Sequence, residues 1–159
     1  ANIIYVYSRN GEIHETIVFL SPKNRDNGHM STQSKILIID DNEEIRASLK
    51  IFLTKKDYFV VTAANGLDGL KLYEAAHDDF DLVITDLVMP NIGGVALISI
   101  LKNQAPDIPI IAITGYGEQP ESLAREARAD VVLEKPFKLD ELEKFVEELL
   151  AGRKHNLPR

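Results

Sequence analysis

Cysteine is absent from this chain of 159 residues, which excludes disulfides and thiolate metal sites and leaves the redox compartment unread. Basic clusters are missing too. Against 25 acidic residues stand 18 Lys and Arg, and the net charge of −7 has the wrong sign for gripping a nucleic-acid backbone. No apolar run approaches the ~18 residues of a membrane span, and no charged-then-apolar leader opens the chain. The expectation is a cytoplasmic protein with no direct nucleic-acid or membrane partner. His14, His29, His77 and His155 share no metal-like spacing, and no glycine-rich phosphate loop suggests a nucleotide enzyme. What is present is an ordinary globular composition, 45% hydrophobic and 27% charged, enough for a real core.

Four short apolar runs each lead into a residue with phosphate or metal chemistry. Ile36 to Ile39 leads into Asp40 and Asp41, Leu82 to Thr85 into Asp86, Ile110 to Ile113 into Thr114, and Val131 to Glu134 into Lys135. Runs of this length without alternation suit strands covered on both faces of a parallel sheet. In open α/β sheets the site lies beyond the carboxyl ends of such strands. Taken singly, each residue has a bland reading: paired acids cap helices, Asp ends strands, and lysine sits in solvated loops. Together they are complementary, and three carboxylates, a hydroxyl and an ammonium are expected to converge on an acidic Mg²⁺ site with a phosphoryl-accepting Asp.

Strand-like and helix-like segments alternate from Ser34 to Leu150, the pattern of a parallel sheet with helices on both faces. Strands are expected at Lys35–Ile39, Tyr58–Thr62, Asp81–Thr85, Pro109–Ile113 and Val131–Glu134. Helices are expected at about Glu43–Lys56, Gly66–Ala76, Val95–Asn103, Gln119–Arg128 and Asp140–Ala151, the first capped by Asn42. Ile45, Leu49 and Phe52, and the series Leu139, Leu142, Val146 and Leu149, read as core faces, whereas Glu141, Glu143, Glu147 and Glu148 read as a solvated face.

Residues 1–33 stand outside this rhythm. Two β-prone stretches flank Asn10-Gly11, a strong hairpin signal, and a polar linker with Gly28-His29-Met30 follows, as a cloning junction leaves it. The expected organisation is a hairpin-like extension over 1–33, derived from a tag or fusion, a domain over 34–151, and a tail over 152–159 that reads as a linker cut short.

The segment from Lys35 to about Leu150 resembles a two-component response-regulator receiver domain. The resemblance rests on Ile36 to Asp41, on Asp86-Leu87-Val88-Met89-Pro90 with Gly93-Gly94, on Ile113-Thr114-Gly115, and on Lys135-Pro136-Phe137. It implies an α/β, flavodoxin-like, doubly wound five-stranded parallel sheet in the order 2-1-3-4-5 with five helices. It also implies that Asp86 is the phosphoacceptor, served by a sensor histidine kinase or a phosphotransfer protein. Mg²⁺ prefers hard oxygens in octahedral geometry; Asp41, Asp86 and the Val88 backbone carbonyl would supply three, with Asp40 holding a metal-bound water. Lys135 would neutralise the phosphoryl oxygens, Thr114 would donate its hydroxyl to them, and the three clustered acids should leave at least one with a raised pKa. Such a protein catalyses its own phosphorylation and dephosphorylation without being a conventional enzyme.

The resemblance also implies a switching surface on the fourth helix, fifth strand and last helix, which often serves homodimers. The position three before Lys135, usually Tyr or Phe, is Val132 here, so a rotating aromatic switch is not expected; Tyr116 is a candidate substitute. Val88 and Tyr116 are poorly suited to orienting an attacking water, and slow self-dephosphorylation is expected. The competing readings are a receiver-like adaptor without phosphoryl chemistry, disfavoured by the intact Asp40, Asp41, Asp86, Thr114 and Lys135, and an Asp-nucleophile phosphatase, which needs an Asp where Val88 stands.

Overall fold

The computed structural model describes residues 4–7, 13–16, 33–76, 79–115, 122 and 128–155. The chain divides into two compact units, residues 1–32 and 33–159. In the first, strands β1 (Ile4–Tyr7) and β2 (Ile13–Thr16) pair antiparallel, with Ile4 opposite Thr16 and Tyr7 opposite Ile13. Asn10-Gly11 and the Gly28-His29-Met30 segment lie outside the described residues.

The second unit runs β3 (Lys35–Ile39), α1 (Glu43–Lys55), β4 (Phe59–Ala63), α2 (Gly66–Ala75), β5 (Leu82–Asp86), α3 (Gly94–Gln104), β6 (Ile110–Thr114), β7 (Val131–Glu134) and α4 (Leu139–His155). Its five strands are parallel in the order β4-β3-β5-β6-β7. Counted within the unit, that is 2-1-3-4-5, the flavodoxin-like order expected. Four of the five expected helices are described, and most of the Gln119–Arg128 helix, with Tyr116 before it, lies outside the described residues.

The uninterrupted apolar runs are buried on both faces, as their lack of alternation requires. Ile36, Ile38, Leu82, Ile84, Ile111 and Ile113 point to one side, where Leu49 and Leu53 of α1 and Leu142, Val146 and Leu150 of α4 cover them. Leu37, Ile39, Val83, Ile110 and Ala112 point to the other, beneath Tyr73 of α2 and Leu97, Ile98 and Leu101 of α3. Three strands begin one residue later than expected. The Tyr58 N–H is taken by the Leu53 carbonyl at 3.2 Å, closing α1, and Pro109 has no N–H to give. The same shift carries Asp86 and Thr114 into the ends of β5 and β6.

Asn42 caps α1, its side-chain oxygen accepting from the N–H groups of Glu44 and Ile45. Glu143 departs from the solvated face read for its helix: its carboxylate meets the Lys56 ammonium at 2.9 Å and ties α4 to the end of α1. The last helix also continues past Ala151 to His155. Arg153, expected in a tail, donates to the Phe80 carbonyl at 2.8 Å and lies 3.9 Å from Asp81. At that amino-terminal rim of the sheet the Lys35 ammonium pairs with Asp79, and the Lys35 N–H donates to Asp81 at 2.8 Å.

Candidate acidic site

At the opposite rim β3 ends, and the chain turns sharply into α1 through Asp40, Asp41 and Asn42. The Asp40 N–H still reaches the Ala63 carbonyl at 3.2 Å, so the strand ladder holds this residue in place. Its side chain is completely buried. Oδ1 accepts the Asn42 N–H at 2.8 Å, whereas Oδ2 has no hydrogen-bond partner among the described residues. Asp41, one residue on, is exposed.

Asp86 closes β5 with a buried side chain. One carboxylate oxygen accepts the Val88 N–H at 3.0 Å and the other the Lys135 ammonium at 2.8 Å. The same ammonium lies 3.7 Å from the orphaned oxygen of Asp40. Carboxylate oxygens of Asp40, Asp41 and Asp86 all lie within 4.8 Å of one another. Lys135 follows β7, its N–H bonded to the Thr114 carbonyl at 2.8 Å, and the Lys135-Pro136 peptide is cis. Thr114 ends β6, fully buried, with its hydroxyl 3.4 Å from the Gly115 carbonyl. Strand parity puts Asp40, Asp86 and Lys135 in line with the core rows beneath α1 and α4, whereas Thr114 continues the Ile110 and Ala112 row.

Burial pushes the Asp40 carboxyl above its ordinary pKa, and repulsion from Asp86 and Asp41 adds to the effect; the Asn42 N–H and Lys135 only partly oppose it. A raised pKa was expected from mutual repulsion, but burial is the larger cause. For Lys135, burial acts to lower the pKa, and the hydrogen bond to Asp86 with the charges of Asp86, Asp40 and Asp41 outweighs it, leaving a raised value. The sign for stability follows. A folded state that binds the Asp40 proton more tightly than the unfolded chain gains stability as pH falls through the raised pKa, and carries the cost of the charge above it. Asp40→Asn should therefore stabilise the metal-free protein at neutral pH by about 1–3 kcal/mol. Thermal melts in chelator would read this, and the gap from the unsubstituted protein should narrow on acidification; a lower melting temperature for the variant would count against it.

Residues 36–147 match the family model of the response regulator receiver domain. The chain belongs to that family. Curated relatives include the sensor kinase CckA of Brucella abortus, 33% identical over 124 residues, which span 76% of this chain and 13% of the kinase. The probable transcriptional regulator ycf27 of Guillardia theta is 35% identical over 123 residues, which span 76% of this chain and 47% of the regulator. Against these relatives the chain spans less than half of the full length. Among solved structures, a response regulator receiver domain protein from Clostridium thermocellum superposes with a TM-score of 0.74 at 29% identity, covering 78% of this chain and 99% of its own. The receiver is thus a component of two-component systems, and no described helix is long and apolar enough to cross a membrane.

Of the residues singled out in the sequence, Asp40, Asp41, Asp86 and Lys135 come together around one point. Thr114 stands at the same rim of the receiver sheet, and Val88 folds its N–H back on Asp86 while its side chain is exposed. Two roles went unread. Arg46 donates through its guanidinium to the Asp40 carbonyl at 2.7 Å; the only signal was a basic residue directly after the acidic start of α1. Gly94 admits no side chain, because a Cβ there would lie 2.1 Å from the Asp86 carbonyl oxygen; the Gly93-Gly94 pair enters the sequence reading as part of the receiver motif, without this packing role.

Proposed function

We propose that this receiver accepts a phosphoryl group on Asp86 from the phosphohistidine of a sensor histidine kinase or phosphotransfer protein. In this reading Mg²⁺ is held by Asp41, Asp86 and the Val88 backbone carbonyl, with Asp40 acting through a bound water. The observation that carries it is the gathering of three carboxylates within 4.8 Å beside an ammonium 2.8 Å from Asp86. The Asp40 oxygen left buried without a hydrogen-bond partner is costly, and a hard divalent cation with its water shell is a group that the three clustered acids fit.

A carboxylate oxygen of Asp86 attacks phosphorus, the bond from phosphorus to the donor imidazole nitrogen breaks, and its electron pair returns to the ring. The product is an acyl phosphate on Asp86. A bound divalent cation would screen the two negative partners from each other. The Lys135 ammonium, already on Asp86, is close enough to neutralise the arriving phosphoryl oxygens. The Thr114 hydroxyl gives up little to join them, because its 3.4 Å contact with Gly115 is weak. The added charge then biases a two-state interaction surface that includes β7 and α4 and is available to a second copy; the 119–128 segment expected beside them lies, but for residues 122 and 128, outside the described residues. Residues 34–151 form the switching domain in this reading and 1–33 an added extension. An adaptor free of phosphoryl chemistry would have no use for an orphaned buried acid.

Acetyl phosphate offers a direct test. With MgCl₂ the intact protein should gain the mass of one phosphoryl group, and with a chelator in its place it should gain nothing. Equal uptake in both would overturn the metal assignment.

A further inference from the structure

Arg46 grips the acidic turn from two directions. Its backbone N–H donates to the Asn42 carbonyl at 3.0 Å, and its Nη1 reaches past the cap to the Asp40 carbonyl at 2.7 Å. Asp41, exposed, lies in the chain between those two bonded residues. The Asp40 carboxylate is held on the other side by the Asn42 N–H at 2.8 Å. The turn that carries two of the three clustered acids is thus bonded by the Arg46 guanidinium at its first residue and by the Arg46 backbone at its last. Without it, the Lys135 ammonium still offsets part of the mutual repulsion of Asp40, Asp41 and Asp86, but the turn itself is held only by the Asn42 and Ala63 bonds and the cap of α1.

We infer that Arg46 is a positioning residue for divalent-cation binding: its guanidinium, bonded to the Asp40 carbonyl, holds the Asp40-Asp41 turn so that both carboxylates face Asp86. The inference rests on the metal reading proposed above. Positioning and simple electrostatics make opposite forecasts. A guanidinium is positive, so its mere proximity weakens cation binding, and its removal would tighten it. A residue that orients the ligand turn acts the other way, and loss of such outer partners commonly costs about 10- to 100-fold in metal affinity. Fixed-fork Arg and single-point Lys differ in geometry, yet either can donate to a carbonyl.

Calorimetric titration of the full chain with MgCl₂ decides between them, with thermal melts in parallel. Arg46→Ala is expected to weaken Mg²⁺ binding by about tenfold or more while still melting cooperatively. Arg46→Gln, which keeps a donor and loses the charge, and Arg46→Lys, which keeps both, should each recover most of that loss. Unchanged or tighter binding by Arg46→Ala overturns the inference, as does an equal loss in all three variants. Should Arg46→Ala fail to fold, Arg46→Gln alone decides, and a tenfold loss there refutes the role. If the unsubstituted chain binds no Mg²⁺, the metal reading itself fails, a result distinct from any difference among the variants.

Discussion

Asp86→Asn abolishes covalent phosphoryl uptake: treated with acetyl phosphate and MgCl₂, the variant keeps its original mass while the unsubstituted chain gains one phosphoryl group. An amide oxygen is no nucleophile at neutral pH, so the loss is complete rather than graded. The substitution is otherwise conservative. Its oxygen can still accept the Val88 N–H, now at 3.0 Å from Asp86, and the Lys135 ammonium keeps Asp40 at 3.7 Å. The melting temperature should accordingly stay close to that of the unsubstituted protein, which separates lost chemistry from lost fold. Uptake persisting on the variant would mean that another group is the acceptor.

Gly94→Ala should be the most damaging single methyl group at this rim. A Cβ at Gly94 would lie 2.1 Å from the Asp86 carbonyl oxygen, 2.6 Å from the Leu87 Cα and 2.9 Å from the Asp86 carbonyl carbon. All three are backbone atoms of the strand end that carries the candidate acceptor, and the Gly94 N–H is itself bonded to the Leu87 carbonyl at 2.9 Å. Nothing there can rotate away, so α3 must lift from β5 or the strand must bend. A cost of about 3 kcal/mol is expected, at the upper end for overpacking. Gly93→Ala is the control. Its Cβ would meet only the Leu87 carbonyl at 3.7 Å, an ordinary contact, and denaturant melts should hardly change. Equal stability of the two variants would show that the turn adapts more readily than its packing implies.

The legible part of this protein was whatever repeats along the chain or rests on near neighbours. Uninterrupted apolar runs announced a sheet covered on both sides, and Asn42 before Glu43-Glu44 announced a cap that the structure contains. The gathering of Asp40, Asp41, Asp86 and Lys135 was readable because each stands at or just past the end of a strand, and parallel strands deliver their carboxyl ends to one rim. Illegible were the contacts that leave no periodic trace: Arg153 on the Phe80 carbonyl and Glu143 on Lys56, far apart in sequence, and Gly94 folded back against Asp86. The two neighbouring acids make the point most sharply. Asp40 is fully buried and Asp41 exposed, and local composition cannot tell which of two identical residues the ladder draws inward. Repulsion was therefore foreseen as the cause of the raised pKa, and burial missed.

The pairings of Lys35 and Arg153 give the sheet an unequal grip on its two ends. Opposite charges fasten the rim where β3 and β5 begin to the acidic segment 79–81, while at the rim where they finish three clustered acids share the ammonium of Lys135. A single divalent ion there would act as a clasp, drawing together the side of the molecule where acids outnumber their lysine.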